Sequence, residues 1–190
     1  MSIALMGYAG SGKDTAADYL VEERGYARVA FADPVRESLL ALDPIVHAEP
    51  EDYGDTYRGV RLSTLVGVCG WDRAKRVYPE VRRLLQAHGT EAVRGVIGDD
   101  VWVRLALRRI SAAWAGGRRV VITDVRFPNE VTALRAHGVR LVWLDRPGVG
   151  PANDHITERS VFPEDADAVI KNDGTPDDLA RRLNEFLCRL

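Results

Sequence analysis

A chain of 190 residues with 46% hydrophobic and 28% charged residues can bury a sizeable core in one domain, and this composition excludes disordered and collagen-like classes. A formal net charge of −2 does not suggest a nucleic-acid-binding domain, and no apolar run nears the roughly 18 residues of a membrane helix. Cys69 and Cys188, far apart in sequence, and four histidines without ligand spacing give little support to a disulfide framework or a zinc site. The chain begins directly with a strand rather than a signal peptide, so the cytoplasm is the expected compartment.

The apolar run Ile3–Met6 is followed by a glycine-rich stretch, GYAGSGKDT, that opens into a helix. Strand, glycine loop and helix N-terminus in this order form an anion cradle, because backbone N–H groups and the helix dipole both face the ligand. Gly7, Gly10 and Gly12 let the loop turn its N–H groups toward an anion, and Lys13 stands where a lysine reaches terminal phosphates. The pattern GxxxxGK[ST] is met except at its last place, where Asp14 replaces the hydroxyl residue that helps hold Mg²⁺ and Thr15 follows. Helical spacing of Ala16, Ala17, Leu20 and Val21 predicts a helix over Asp14–Arg24, stopped by Gly25.

Ala27–Phe31 reads as a short strand, and Asp33 and Pro34 launch a second helix through Leu42. Arg36 lies in that helix's first turn, where a cation opposes the macrodipole; Asp33 as a cap, or an anionic ligand, would relieve the conflict, and a solvated surface arginine fits as well. From Asp43 to about Gly70 the periodicity fades, and HAEPEDYGD (47–55) is acidic and turn-rich, so a mobile excursion is expected. Helical patterning returns from Pro79, breaks at Gly89, and resumes through Val93, Val96 and Ile97 into a long amphipathic helix reaching Ile110. Arg82, Arg83, Arg94 and Arg104 ride on these segments, mostly as solvated faces.

In RVVITDVRFPNE (119–130) the continuous apolar run Val120–Ile122 predicts a parallel strand buried on both faces. Asp124 falls at its C-terminal end, where ligands of open α/β sheets gather and where a carboxylate can bind Mg²⁺, although a helix-capping aspartate would look the same. Arg126, two residues on, shares its side if the extended geometry continues. Glu130 in the next helix's first turn either favours the helix dipole or accepts a hydrogen bond from a substrate. Val139–Leu144 is a further strand, followed by a polar, glycine- and proline-punctuated segment holding Arg146, Asp154, His155, Glu158 and Arg159 that reads as a lid or as an inert surface loop. A last strand, Ala168–Ile170, precedes the turn Asn172–Gly174, and Thr175 and Pro176 cap and open a C-terminal helix.

This alternation predicts an α/β fold with about five parallel strands, doubly wound. The GTPase base-recognition pattern NKxD is absent, and Val125 stands where a motor ATPase carries a catalytic glutamate. Small size, scattered arginines and the candidate lid favour a phosphoryl-transfer kinase, in which positioning and charge neutralisation dominate.

Together GYAGSGKDT, FADPVRE, GTEAVRGVIGDDVW and ITDVRFPNE resemble the phage deoxynucleoside monophosphate kinases over most of the chain. The resemblance implies a P-loop kinase fold in one domain, with a core over about 1–42 and 117–190, a helical substrate-binding region over about 43–116 and a lid over about 146–160. It implies transfer of the ATP γ-phosphate to a deoxynucleoside monophosphate, with Mg²⁺, supplying deoxynucleotides for DNA synthesis in the cytoplasm, that of the host if the chain is of phage origin. By the same resemblance Gly10, Ser11, Gly12, Lys13, Asp14 and Thr15 hold ATP phosphates, Asn172 and Gly174 border the adenine, and Arg36, Arg94 and Trp102 contact the acceptor, Trp102 offering its base a stacking surface. Asp124, Arg126 and Glu130 form the wall between the nucleotides; Arg146 and Arg159 are lid candidates for catalysis beside Lys13, Asp124 and Arg126; Thr15 and Asp124 are the metal candidates. Expected partners are small-molecule nucleotides, with neither nucleic acid nor membrane, and a homodimer is left open. A dephospho-coenzyme A or phosphomevalonate type of kinase and a non-catalytic nucleotide-binding module are the rival readings.

Overall fold

The computed structural model describes residues 1–50, 57–151 and 160–189. In chain order its elements are β1 (Ile3–Met6), α1 (Lys13–Arg24), β2 (Ala27–Val29), α2 (Ala32–Leu42), β3 (Ile45–Pro50), β4 (Tyr57–Arg61), α3 (Leu62–Val77) and α4 (Pro79–Gln86). A π-helical stretch (Ala87–Ile97), α5 (Val101–Ala115), β5 (Val120–Ile122), α6 (Pro128–Ala136), β6 (Arg140–Asp145), a 3-10 turn (Pro163–Asp165), β7 (Ala168–Lys171) and α7 (Pro176–Cys188) follow. The chain divides into two compact units, Met1–Phe31 with Val103–Leu190, and Ala32–Trp102. These bounds give α2 to the second unit and most of α5 to the first, whereas the sequence reading drew the core to about residue 42 and from about 117.

The first unit is built on a five-stranded parallel sheet ordered β2-β5-β1-β6-β7. β1 lies at its centre, with Ile3 beside Val121 of β5 and Arg140 of β6. Successive side chains of a strand point to opposite faces, and here both faces are covered. Ala4, Met6, Ile122, Leu141 and Trp143 pack on one side with Ala106 and Ile110 of α5 and Val131 and Leu134 of α6. Ile3, Leu5, Val121, Val142 and Leu144 pack on the other with Ala16, Ala17 and Leu20 of α1 and Leu179 and Leu183 of α7. The apolar runs of the sequence are therefore continuous rather than alternating, and the expected parallel α/β sheet of five strands is what forms.

The second unit departs from the sequence reading. Within the stretch expected to be a mobile excursion, β3 and β4 pair as an antiparallel ribbon and α3 follows directly. The ribbon exposes most of its side chains, so it carries no alternating hydrophobic signal, and α3 is interrupted at Gly70, whose φ of 72° and ψ of 166° kink it. Gly89 does not break the helical course either; α4 runs on into the π-helical stretch, which ends where the Gly98 N–H donates to the Val93 carbonyl at 3.0 Å. Leu39, Val46, Leu62, Leu65, Ala74 and Val81 form this unit's own core.

Candidate functional site

β1 ends at Met6, and the loop that leaves it is shaped by two close approaches. At Gly7, with φ of 136°, a Cβ would lie 2.7 Å from both the Leu144 carbonyl oxygen and the Ser11 Oγ; at Gly12, with φ of 99°, it would lie 2.3 Å from the Asn172 Nδ2. No side chain fits at either place, which is the physical content of the glycines in the motif. The Ser11 N–H closes the loop on the Tyr8 carbonyl at 3.1 Å, and α1 then begins at Lys13 with no side-chain cap on its first turn. The first N–H groups of a helix have no intrahelical carbonyl to bond and lie at the positive end of its dipole.

The Lys13 ammonium donates to the Gly7 and Tyr8 carbonyls at 2.7 and 2.8 Å, so it is folded across its own loop. Lys13 lines one pocket together with Gly7, Tyr8, Asp124, Arg126 and Trp143. The expectation that Asp124 and Arg126 share a side therefore corresponds to the geometry, although β5 itself ends at Ile122. Asp124 Oδ1 accepts the Phe31 N–H at 2.9 Å, which ties the end of β5 to the end of the β2 segment. Tyr8 and Trp143 meet edge to face, with ring centroids 5.2 Å apart, and form an aromatic wall that the sequence reading missed. Trp143 sits inside an apolar strand and reads as plain core; only its place near the C-terminal end of β6 signals the site.

Several residues serve the architecture in ways the sequence reading did not foresee. Glu130 is 3% exposed, and its Oε2 accepts the N–H groups of Arg126 and Phe127 at 2.7 and 3.1 Å. A buried carboxylate needs such donors, and here the pair fixes the backbone that carries Arg126. Asn172 is 7% exposed and donates from Nδ2 to the Ser11 carbonyl at 2.8 Å, so its amide is directed at the phosphate loop. Gly174 lies beside Asp178, where a Cβ would come 2.6 Å from a carboxylate oxygen. Asp14 is exposed and ion-paired with Arg28 of β2, which also holds Asp18 at 2.8 Å. Its carboxylate is thereby neutralised by a cation of the neighbouring strand, while Thr15 stands exposed one residue on.

In the second unit Arg36 lies 3.7 Å from Asp33, with its guanidinium 5.9 Å from the ring centroid of Trp71. Partners within the chain thus offset its opposition to the helix dipole. Arg94 lies half-buried in the π-helical stretch. Trp102 is 5% exposed and donates its indole N–H to the Gly89 carbonyl at 2.7 Å, which corrects the expectation of an open stacking surface: the ring packs beside His88 instead. Arg146 is exposed in a tight turn whose carbonyl accepts the Val149 N–H at 3.1 Å. Arg159, Asp154, His155 and Glu158 lie outside the described residues.

Among the described residues no group of three or more His, Cys, Asp or Glu forms a metal site. Mg²⁺ at phosphates takes only one or two protein oxygens, the rest coming from phosphate and water. The Asp124 carboxylate, lining the pocket with Lys13, is a hard-oxygen donor that fits this demand. Among the described residues no helix is long and apolar enough to cross a membrane.

A family model described as "Deoxynucleotide monophosphate kinase" matches residues 73–183. A protein named deoxynucleotide monophosphate kinase in Escherichia phage RB69 is 33% identical over 108 residues, covering 56% of this chain and 44% of that one. Its namesake in Enterobacteria phage T4 is 34% identical over 108 residues, covering 56% and 45%. The alignment therefore spans less than half the length of these two phage relatives. A protein of Acanthamoeba polyphaga mimivirus whose name includes the same words is 29% identical over 187 residues, covering 91% of this chain and 89% of that one. Among solved structures, a shikimate kinase from Aquifex aeolicus is similar with a TM-score of 0.49 and 12% identity, over 98% of this chain and 96% of that one.

Proposed function

Because this chain belongs to the deoxynucleotide monophosphate kinase family, we propose that it transfers the γ-phosphate of ATP to a deoxynucleoside 5′-monophosphate to give the diphosphate. The observation that carries this reading is the pocket in which Lys13, Asp124 and Arg126 stand together at the mouth of the glycine loop. A cation on the loop, a carboxylate at the end of the adjacent strand and a second cation beside it are what phosphoryl transfer asks for, since its catalysis is mostly positioning and charge neutralisation.

In this reading the loop N–H groups and the α1 terminus bind the ATP phosphates. Lys13 and Arg126 meet the charge spread over the transferring group. No general base is required, because the attacking oxygen belongs to a phosphate that is already anionic near neutral pH. Asp124 and Thr15 are the residues that would hold Mg²⁺, which supplies further neutralisation of the β- and γ-oxygens when bound. The family resemblance assigns Arg36 and Arg94 to the acceptor nucleotide, and Trp102 shapes the second unit by holding the Gly89 carbonyl.

An ATP-consumption assay with a panel of ribo- and deoxynucleoside monophosphates, dephospho-coenzyme A and phosphomevalonate tests the assignment. Turnover is expected with at least one deoxynucleoside monophosphate and with neither of the other two metabolites. Absence of ATP consumption across the panel overturns a catalytic role.

A further inference from the structure

We propose that Asn172 is a positioning residue that locks the phosphate loop in its anion-binding conformation. The inference deepens the assignment above and rests on ATP occupying this loop. Its starting point is the peptide between Ser11 and Gly12. The chain has no cis peptide bond among the described residues, so the Ser11 carbonyl and the Gly12 N–H point in opposite directions across one plane. Whatever holds the carbonyl also aims the N–H. The holder is the Asn172 side chain, which donates to that carbonyl at 2.8 Å from a buried position.

The loop needs such a holder. Gly12, with φ of 99°, has access to both halves of backbone space, so its own conformation does not prevent the preceding peptide from turning over. A turned peptide would present a carbonyl oxygen where an N–H donor is required. Asn172 is itself fixed, because its N–H donates to the Asp145 carbonyl at 2.7 Å and Arg182 pairs with the adjacent Asp173 at 2.7 Å. The amide also lies where a Cβ at residue 12 would go, so contact with the loop is direct. Asn172 thus carries the rigidity of β7 into the loop after β1, and it reduces the ordering that binding would otherwise require.

The test measures binding of a non-hydrolysable ATP analogue by calorimetry, alongside KM for ATP and for the monophosphate turned over in the panel. The variants are Asn172→Asp and Asn172→Ala. At about pH 8 the aspartate cannot donate, and its charge faces a carbonyl oxygen; analogue affinity is expected to fall about tenfold or more, with acceptor KM within about twofold of wild type. Burial beside a carbonyl favours the protonated acid, so at about pH 5.5 the Asn172→Asp variant regains a donor. Its affinity relative to wild type at the same pH is expected to recover, whereas Asn172→Ala stays weak at both. A merely structural role would impair both substrates and show no recovery on acidification. Wild-type affinity in both variants at about pH 8, or parallel loss toward ATP and acceptor, overturns the inference and leaves the kinase assignment standing. A wild-type chain that does not bind the analogue overturns both.

Discussion

The Lys13 ammonium is held by two carbonyls of the loop that precedes it, so the loop itself sets where this cation stands. Replacing it with alanine removes the charge and leaves the buried core untouched: turnover is expected to fall at least about 10²-fold with a melting temperature close to wild type, which steady-state kinetics and thermal unfolding will read. In Arg126→Ala, by contrast, the backbone is still held by Glu130, so the loss is confined to a guanidinium; slower turnover or a higher acceptor KM is expected, and unchanged kinetics removes it from the site. A third prediction concerns Arg28. Without it Asp14 keeps its negative charge one residue from Lys13 with no ion pair to offset it, so Arg28→Ala is expected to raise KM for ATP a few-fold, an effect that shrinks as salt is added. The shared placement of Lys13, Asp124 and Arg126 was legible because it follows from sequence distance to a strand end. Trp102, Glu130 and Asn172 were legible as residues but not as roles, since burial and the choice of hydrogen-bond partner depend on chain segments far away in sequence.

At the scale of elements, α7 shows how a short polar prefix specifies a helix start. Thr175 Oγ1 accepts the Asp178 N–H at 3.2 Å, and the Asp178 carboxylate returns to the Thr175 N–H at 3.1 Å. Thr175→Ala is expected to cost about 1 kcal/mol in urea unfolding. The hydrogen bonds from Thr175, with help from Arg181, lower the Asp178 carboxyl from 3.8 to about 2. A depressed carboxylate stabilises the fold above its unfolded value, and that contribution is lost as pH falls from about 4 toward about 2. Asp178→Asn is therefore expected to flatten the acid limb of stability in that window. This cap, like β1, β5 and β6, could be read from the chain because its signal is local and complete within a few residues. The β3–β4 ribbon and α3 could not. An exposed ribbon has no buried face to impose alternation, and glycines at 67 and 70 dilute the period of the helix that follows.

For the whole molecule, a ligand that binds only the folded state stabilises it by mass action, about 2.7 kcal/mol at a hundredfold excess over Kd. ATP with Mg²⁺ is thus expected to raise the wild-type melting temperature by several degrees and that of Lys13→Ala by little, which a thermal-shift titration will resolve. The order of the sheet adds a constraint of another kind. β1 sits between β5 and β6, where Ile3 has Val121 and Arg140 as its strand partners, while the second unit is one uninterrupted stretch from Ala32 to Trp102. As the chain leaves the ribosome, the whole of that stretch is made after the glycine loop and before β5, so the loop is synthesised well before the strands that shape it. Contacts this distant in sequence form late and close slowly. Nascent chains arrested before residue 120 will contain every residue of the motif and retain no ATP. Capture on immobilised ATP will begin only once β5 and β6 are out, and will tighten when Asn172 arrives.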